Sequence, residues 1–293
     1  MHIHHPIAGL TVVALVLAAL VGCSGSPNSS TQSGRSCIKN FDPQKDYFPE
    51  KATFSDARGI TVSYHKSYKV VTIKHPSNTS PRKATYVLVQ CGAPKPSLTG
   101  DLAKAQIVDV PVKRVAASST TQIPVFQTLN SLDTIVGVNQ LKQIYRGPAR
   151  DTLEARKVAS YGAAGMNTDP EKIIALKPNI VLAASAAVEG FKQVQSANIP
   201  VMPDLDYLES DPLARAEWMK AYGVLLNKEA PSAKAFDDIT KRYDEVAKTA
   251  KGGTSRPSVL VGQETKGQWY VPGTDSYMIR FMSDAGASDV MGG

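Results

Sequence analysis

The chain has 293 residues and a formal net charge of +7, with 33 lysines and arginines against 26 aspartates and glutamates. This length is enough for about two domains with a large core once a short leader and tether are set aside. The basic residues are scattered among acidic ones and form no run interleaved with aromatic residues, which argues against a nucleic-acid-binding protein. A basic surface is also compatible with anionic ligands or anionic lipid headgroups.

The amino terminus has the pattern of an export signal. Residues Ile7 to Val21 are almost wholly apolar, which is the length of a signal-peptide core and short for a membrane span. They run into Leu20 to Cys23, a tetrapeptide that resembles a bacterial lipobox. We therefore predict a signal peptide over 1–22, a lipid on Cys23 and a flexible tether over 23–50.

An ordinary secretory signal with an incidental cysteine is the alternative, and the leader lacks the usual Lys or Arg. The expected location is the cell envelope, with the protein lipid-anchored on the outer face of the cytoplasmic membrane or in the periplasm.

The segment 51–95 is predicted as a small antiparallel β appendage. Three runs rich in Val, Ile, Thr and Tyr are separated by turn residues; they are Ile60–Tyr64, Tyr68–His75 and Ala84–Gln90. With Cys23 assigned to lipid, Cys37 and Cys91 remain as an even pair in an oxidising compartment, and we expect a disulfide. Two unrelated thiols are the alternative. A metal site is not expected, because His65 and His75 have no recognisable ligand spacing.

Residues 96–210 are predicted as an α/β lobe. Short apolar strands at 106–110, 112–117, 134–138, 179–184 and 199–202 alternate with helices at about 123–129, from 169 to the Lys177-Pro178 pair, and at 188–198. Asp169 and Pro170 form a good helix start, with Asp as the cap and Pro in the first turn. This alternation predicts a mainly parallel sheet that is covered on both faces.

The segment 211–252 is predicted as two connector helices. The first covers Pro212 to Leu226, and the second runs to about Ala250. Its predicted apolar face contains Phe236, Ile239, Tyr243, Val246 and Ala250. Trp218 lies on an apolar stripe and is assigned to the core. Residues 253–293 are predicted as part of a second α/β lobe, and we expect the chain to be a C-terminally truncated fragment, because so short a lobe would leave a sheet edge open.

The order of these elements resembles the substrate-binding proteins of bacterial ABC importers for ferric siderophores, haem and cobalamin, whose two lobes are joined by one long helix. The residues that carry the resemblance are Arg114 to Ser119, Pro170 to Leu182, Arg242-Tyr243 and Val271 to Tyr277. It implies an α/β two-lobed substrate-binding-protein fold with mainly parallel sheets and one inter-lobe helix. The β appendage and the incomplete second lobe depart from the family pattern.

The resemblance also implies a function. A ligand would be captured between the lobes and delivered to a membrane permease with its ATPase, and the protein would act as a monomer without a cofactor. Glu171 matches the first-lobe carboxylate that docks on the permease, although an ordinary glutamate in a first helical turn explains it equally well. A sensor or adhesion lipoprotein with the same fold is the alternative.

Position in the predicted crevice selects the candidate ligand contacts. They are Ser118, Ser119, Thr120, Thr121, Gln122, Asn139, Gln140, Tyr145, Arg146, Tyr161, Ser185, Trp269 and Tyr270. Aromatic side chains suit a flat chelate or macrocycle, and Arg146 suits an anionic ferric complex. All five histidines precede residue 76, which argues against free zinc and against Ser-His enzyme chemistry within the lobes.

Overall fold

Four strands near the amino terminus form one mixed sheet in the computed structural model, which describes residues 37–76, 83–162, 168–184, 188–253 and 255–291. They are β1 (Ile60–Tyr64), β2 (Tyr68–Lys74), β3 (Lys83–Gln90) and β4 (Gln106–Val110), in the order β1-β2-β3-β4. The first two pairs are antiparallel, and β4 is parallel to β3. The predicted signal peptide, Cys23 and most of the predicted tether lie outside the described residues.

β4 corrects the predicted organisation. It lies in the segment 96–210 that is predicted as the lobe, but it completes the sheet of the β appendage predicted over 51–95, which is therefore mixed and four-stranded. The last five residues of β3 are all buried, so this strand needs a neighbour on its second edge as well as β2. The predicted boundary at residues 95 and 96 therefore does not separate the two sheets.

A five-stranded parallel sheet forms the predicted lobe. Its strands are β5 (Val115–Ala117), β6 (Ile135–Val138), β7 (Ala159–Ser160), β8 (Ile180–Ala183) and β9 (Val201–Pro203), in the order β7-β6-β5-β8-β9. The helices between them are α1 (Gln122–Thr128), α2 (Pro148–Ala155), α3 (Pro170–Ala175) and α4 (Lys192–Ser196). Asp169 caps α3 by accepting from the backbone N–H groups of Glu171 and Lys172, as its position before Pro170 predicts.

Three connector helices follow. They are α5 (Pro212–Glu217), α6 (Met219–Leu226) and α7 (Glu229–Lys251). The single helix predicted over 212–226 is divided at Trp218, whose side chain is buried and donates from Nε1 to Glu209 at 3.0 Å. α7 is the long helix that the sequence predicts, with 23 residues and Phe236 and Ala247 on its buried side.

The remaining described residues form small elements. They are β10 (Ser258–Val259), β11 (Gln263–Thr265), β12 (Gln268–Tyr270), α8 (Tyr277–Asp284) and β13 (Ser288–Asp289). β10 and β13 are parallel, and β11 and β12 form a hairpin. Within the described part of the chain, no helix is long and apolar enough to cross a bilayer.

The two large sheets share one hydrophobic core. Ile60, Ile73 and Leu88 of the amino-terminal sheet belong to the same buried cluster as Ile123 and Trp218. Cys37 and Cys91 form a disulfide with a Cα to Cα distance of 4.7 Å, so the start of the described chain is fixed to the end of β3. The β structure is therefore an integral layer of the fold.

Candidate functional site

The carboxyl edge of the parallel sheet has a topological switch at β5. The chain leaves β5 to form β6 and β7 on one side, whereas β8 and β9 lie on the other side. Loops that leave the carboxyl ends of β5 and β8 therefore diverge and form a crevice between them. This crevice is bordered by the turn at Ser118–Thr121 and by Ala184.

The turn after β5 contains two kinds of polar group. The Ser118 hydroxyl donates to Leu182 O at 2.8 Å and accepts from Ala184 N at 2.7 Å, so it ties β5 to β8. Gln122 is buried and donates from Nε2 to Asp204 Oδ2 at 3.2 Å. Both side chains are engaged in supporting the turn.

The exposed part of this turn is different. The Ser119 and Thr121 hydroxyls are 2.7 Å apart, and Thr120 and Thr121 are exposed to solvent. These groups keep donors and acceptors available on the crevice side. Of the five residues predicted here, Ser119, Thr120 and Thr121 are thus the ones with hydroxyls on the open side of the turn.

A cavity of about 230 Å³ lies beside this turn. Its walls come from α1, the segment after β9, α5, α6 and α7, and the polar residues among them are Thr121, Thr128, Asp204, Asp206, Arg215 and Tyr222. Arg215 bridges two parts of the chain, since it lies 3.7 Å from Asp206 and stacks over the Tyr277 ring of α8 at 3.8 Å. The sequence does not predict Asp204, Asp206 and Arg215 as site residues, because charges in separate elements have no common spacing along the chain.

Asp204 is a buried carboxylic acid in this wall. Its Oδ2 accepts from Tyr222 at 2.5 Å and from Gln122, whereas its Oδ1 has no hydrogen-bond partner among the described residues. Burial raises the pKa of Asp204 to about 6, and the nearby charge of Asp206 adds to the rise, against the opposing effect of its two hydrogen bonds. Asp204 therefore changes its charge within the mildly acidic range.

This shift predicts a pH-dependent stability. The folded-state pKa lies above the ordinary value of 3.8, so the folded state binds more protons, and the free energy of unfolding falls as pH rises from 4 to 6. Asp204→Asn should remove this loss. Its free energy of unfolding relative to the native protein should therefore rise by about 2 to 3 kcal/mol as pH increases from 4 to 7. Urea denaturation at several pH values measures the difference.

Asp206→Asn is the matched control for this prediction. It keeps the titrating carboxyl at Asp204 and removes only the neighbouring charge, so the loss of stability with pH should persist in a smaller form. If Asp204→Asn and the native protein have parallel pH profiles, Asp204 does not titrate as described.

The second group of predicted contacts follows β6 and β7. Asn139 is half-buried and its Oδ1 has no hydrogen-bond partner within the described ranges, and Gln140 is half-buried next to it. Tyr161 is fully buried in the cluster with Ile173 and Val181, and burial raises its pKa. Tyr161 therefore packs inside the lobe, and its hydroxyl, like Asn139 Oδ1, has no hydrogen-bond partner among the described residues.

The other predicted contacts are dispersed. Tyr145 is 92% exposed and Arg146 is exposed in the loop before α2. Trp269 and Tyr270 are 53% and 57% exposed on the β11–β12 hairpin, and no residue of this hairpin lines the cavity. Ser185 lies outside the described residues.

Among the described residues, no group of three or more His, Cys, Asp or Glu side chains is placed to hold a metal ion. His65 stacks on Tyr68 in the amino-terminal sheet, with ring centroids 4.2 Å apart.

Residues 115–292 match the model of a protein family that is described as periplasmic binding protein. This match covers more than half of the chain. The chain belongs to the periplasmic binding protein family. Its parallel sheet, long helix α7 and crevice at the carboxyl edge are thus elements of a solute-binding fold, and this binding protein is not an enzyme.

One curated relative is an uncharacterized lipoprotein of Methanocaldococcus jannaschii. The two are 27% identical over 188 residues, which is 60% of this chain and 44% of the relative. The chain therefore spans less than half the length of that relative.

Solved structures share the fold of this binding protein. A periplasmic binding protein of Veillonella parvula has a TM-score of 0.54 at 13% identity, with 77% of this chain and 68% of that chain covered. A periplasmic solute-binding protein of Staphylococcus epidermidis, named as a possible iron-binding protein, has a TM-score of 0.50 at 16% identity, with 62% and 68% covered. At these identities the similarity establishes the fold alone.

Proposed function

We propose that this protein is the solute-binding component of an ABC importer and captures a ferric siderophore or a related iron chelate. The chemistry of the crevice carries the proposal. Ser119 and Thr121 offer hydroxyls, Arg215 offers a guanidinium that lies 3.7 Å from Asp206 in the adjoining cavity, and the described residues include no cluster of three metal-ligating side chains. Hydroxyls and a guanidinium suit an anionic organic chelate better than a bare metal ion.

Two further observations support an iron chelate. The Staphylococcus epidermidis protein of the same fold is named as a possible iron-binding protein. All five histidines of this chain precede residue 76, before the lobe that borders the crevice. The lobe therefore lacks the imidazoles that a free zinc or copper site most often uses.

Delivery to a permease would use a surface of the same lobe. Glu171 is exposed in the first turn of α3, and its side chain makes no hydrogen bond or ion pair within the described ranges. A carboxylate in that position is free to pair with a basic residue of a permease. A lipid on Cys23 would keep the protein near that permease, in line with the lipoprotein among its relatives.

Ligand titration followed by tryptophan fluorescence tests the proposal. Trp218 lines the cavity, and Trp269 is the second of the two tryptophans. We expect saturable quenching of the native chain with a ferric hydroxamate or catecholate, and a dissociation constant about five to ten times larger for Thr121→Val, which loses one hydrogen bond.

Thr249→Val is the control, because Thr249 is an exposed threonine of α7 outside the cavity. The titration includes haem, cobalamin, molybdate and free metal ions as separate arms. Saturable binding of a free metal ion without binding of any chelate, or no saturable change with any arm, would contradict the proposed ligand class.

A further inference from the structure

The amino ends of the parallel strands form the edge of the sheet opposite the crevice. β5, β6, β7 and β8 are parallel neighbours, so residues shortly before each strand share this edge. Five exposed basic residues lie within three positions of a strand start; they are Lys113, Arg114, Arg156, Lys157 and Lys177. We call this set the basic edge.

Hydrogen bonds fix Arg114 and Arg156 to the turns at this edge. Arg114 donates to Leu176 O at 2.6 Å and to Lys177 O at 3.1 Å, and the backbone N–H groups of Lys113 and Arg114 both donate to Asn179 Oδ1. Arg156 donates to Leu132 O and Asp133 O in the turn before β6. Among the described residues within three positions of these strand starts, Asp133 is acidic and five are basic, so the edge has an excess of positive charge.

The backbone conformation gives no reason for a lysine at the two positions that follow α2 and α3. Lys157 and Lys177 adopt left-handed conformations, with φ of 54° and 47°, at the ends of α2 and α3. At the corresponding positions after α1, α4 and α6 the chain has Asn130, Asn198 and Asn227, the residue type that tolerates this conformation best after glycine. Lys157 and Lys177 make no ammonium hydrogen bond or ion pair within the described ranges, so their charges face solvent.

The start of the described chain lies at the same edge. Ile38 N donates to Cys91 O at 2.9 Å beside the disulfide, and Lys113 Nζ is 3.9 Å from Cys37 Sγ. Between Cys23 and Cys37 the chain can extend over at most about 50 Å. A lipid on Cys23 would thus hold the basic edge within reach of the bilayer surface.

We propose that the basic edge binds anionic lipid headgroups and, while the protein is not docked on a permease, holds it on the membrane surface with its crevice facing away. This contact does not require an acyl chain. The lipid on Cys23 that belongs to the proposed function would raise the concentration of the basic edge at the membrane. A lysine or arginine close to an anionic bilayer strengthens binding by about fivefold. The attraction decays over a Debye length, so it weakens as salt rises.

Vesicle cosedimentation tests the proposal with the full chain carrying Cys23→Ser, which cannot be lipidated. We expect binding to vesicles with phosphatidylglycerol in phosphatidylcholine, and little binding to phosphatidylcholine alone. The triple variant Lys113→Glu, Lys157→Glu, Lys177→Glu should bind at least about tenfold more weakly. These lysines are chosen because Arg114 and Arg156 also bond to backbone carbonyls.

The matched control reverses three exposed lysines elsewhere, Lys241, Lys248 and Lys266, and changes the net charge equally. It should keep most of the vesicle binding, and both triple variants should keep the native chelate affinity and melting temperature. Equal losses in the two triple variants, equal binding to both vesicle types, or binding to a DNA duplex without vesicle binding would overturn the proposal. A native chain that binds vesicles but no chelate would count against the proposed function alone.

Discussion

Lys69→Met should lower the free energy of unfolding by about 3 to 5 kcal/mol, because it leaves a buried carboxylate without its partner. Lys69 is fully buried, and its ammonium contacts Glu229 Oε1 at 2.5 Å, Val224 O at 2.6 Å and Asn227 Oδ1 at 2.8 Å. Burial lowers the pKa of Lys69 to about 8, against the opposing charge of Glu229. Thermal and urea denaturation at pH 7 measure the loss.

Two controls accompany Lys69→Met. Lys234→Met removes an exposed ion pair of α7, in which Lys234 Nζ lies 2.9 Å from Asp238. It should change the free energy of unfolding by less than about 1 kcal/mol. The double variant Lys69→Met, Glu229→Gln should recover much of the loss, since no buried charge is left unpaired. Equal effects of Lys69→Met and Lys234→Met would contradict the buried pair.

Glu217→Ala should destabilise the protein by about 3 to 5 kcal/mol, because three backbone donors and the buried Lys220 ammonium lose their acceptor together. Glu217 is fully buried and accepts from the backbone N–H groups of Ser55, Asp56 and Ala57 at 2.7 to 3.1 Å. Its Oε1 also lies 2.9 Å from Lys220 Nζ. Burial raises the pKa of Glu217, but these hydrogen bonds outweigh it and lower the pKa overall.

Hydrogen exchange gives this prediction a local readout. The amides of residues 55 to 57 should exchange faster in Glu217→Ala, whereas Glu245→Ala on the exposed side of α7 should change neither exchange nor stability appreciably. Because the folded-state pKa of Glu217 is lowered, its contribution should be complete above about pH 5 and lost as pH falls further. Unchanged exchange at 55 to 57 would contradict the assigned contacts.

These two buried groups explain how the amino-terminal sheet is held. Lys69 lies on β2 and binds the junction of α6 and α7, whereas Glu217 of α5 binds the segment before β1. Glu209 adds bonds from Arg58 N, Gly59 N and Trp218 Nε1 at 2.8 to 3.0 Å. The sheet is thus fixed to the connector helices at the point where the first lobe ends, and Lys69 bonds it to the start of α7.

Periodicity was sufficient for the parallel lobe and the long helix. Apolar strands alternating with helices predicted β5, β6, β8 and β9 but not the two-residue β7, and one apolar face predicted α7 and its buried Phe236. The cap at Asp169 and the buried position of Trp218 were predicted from the same local patterns. These features are local, since they depend on residues within a few turns of each other.

The candidate site was only partly predictable. The hydroxyl turn after β5 was found because it follows a strand directly, and its position relative to β8 follows from strand order. Asp204, Asp206 and Arg215 were missed because they come together only when the segment after β9 packs against α5 and α6. Tyr161 was predicted at the crevice, yet the core encloses it.

The sequence by itself determined the alternation of strands and helices, the long helix α7 and the even pair of Cys37 and Cys91, because these depend on short-range periodicity and residue counts. Only the tertiary structure placed β4 beside β3, since nothing local to 106–110 distinguishes one sheet from the other. It also brought Lys69 to Glu229 and Glu217 to residues 55 to 57, across about 160 positions of the chain. Buried polar groups find partners wherever the fold places them, so their pairing is decided by packing.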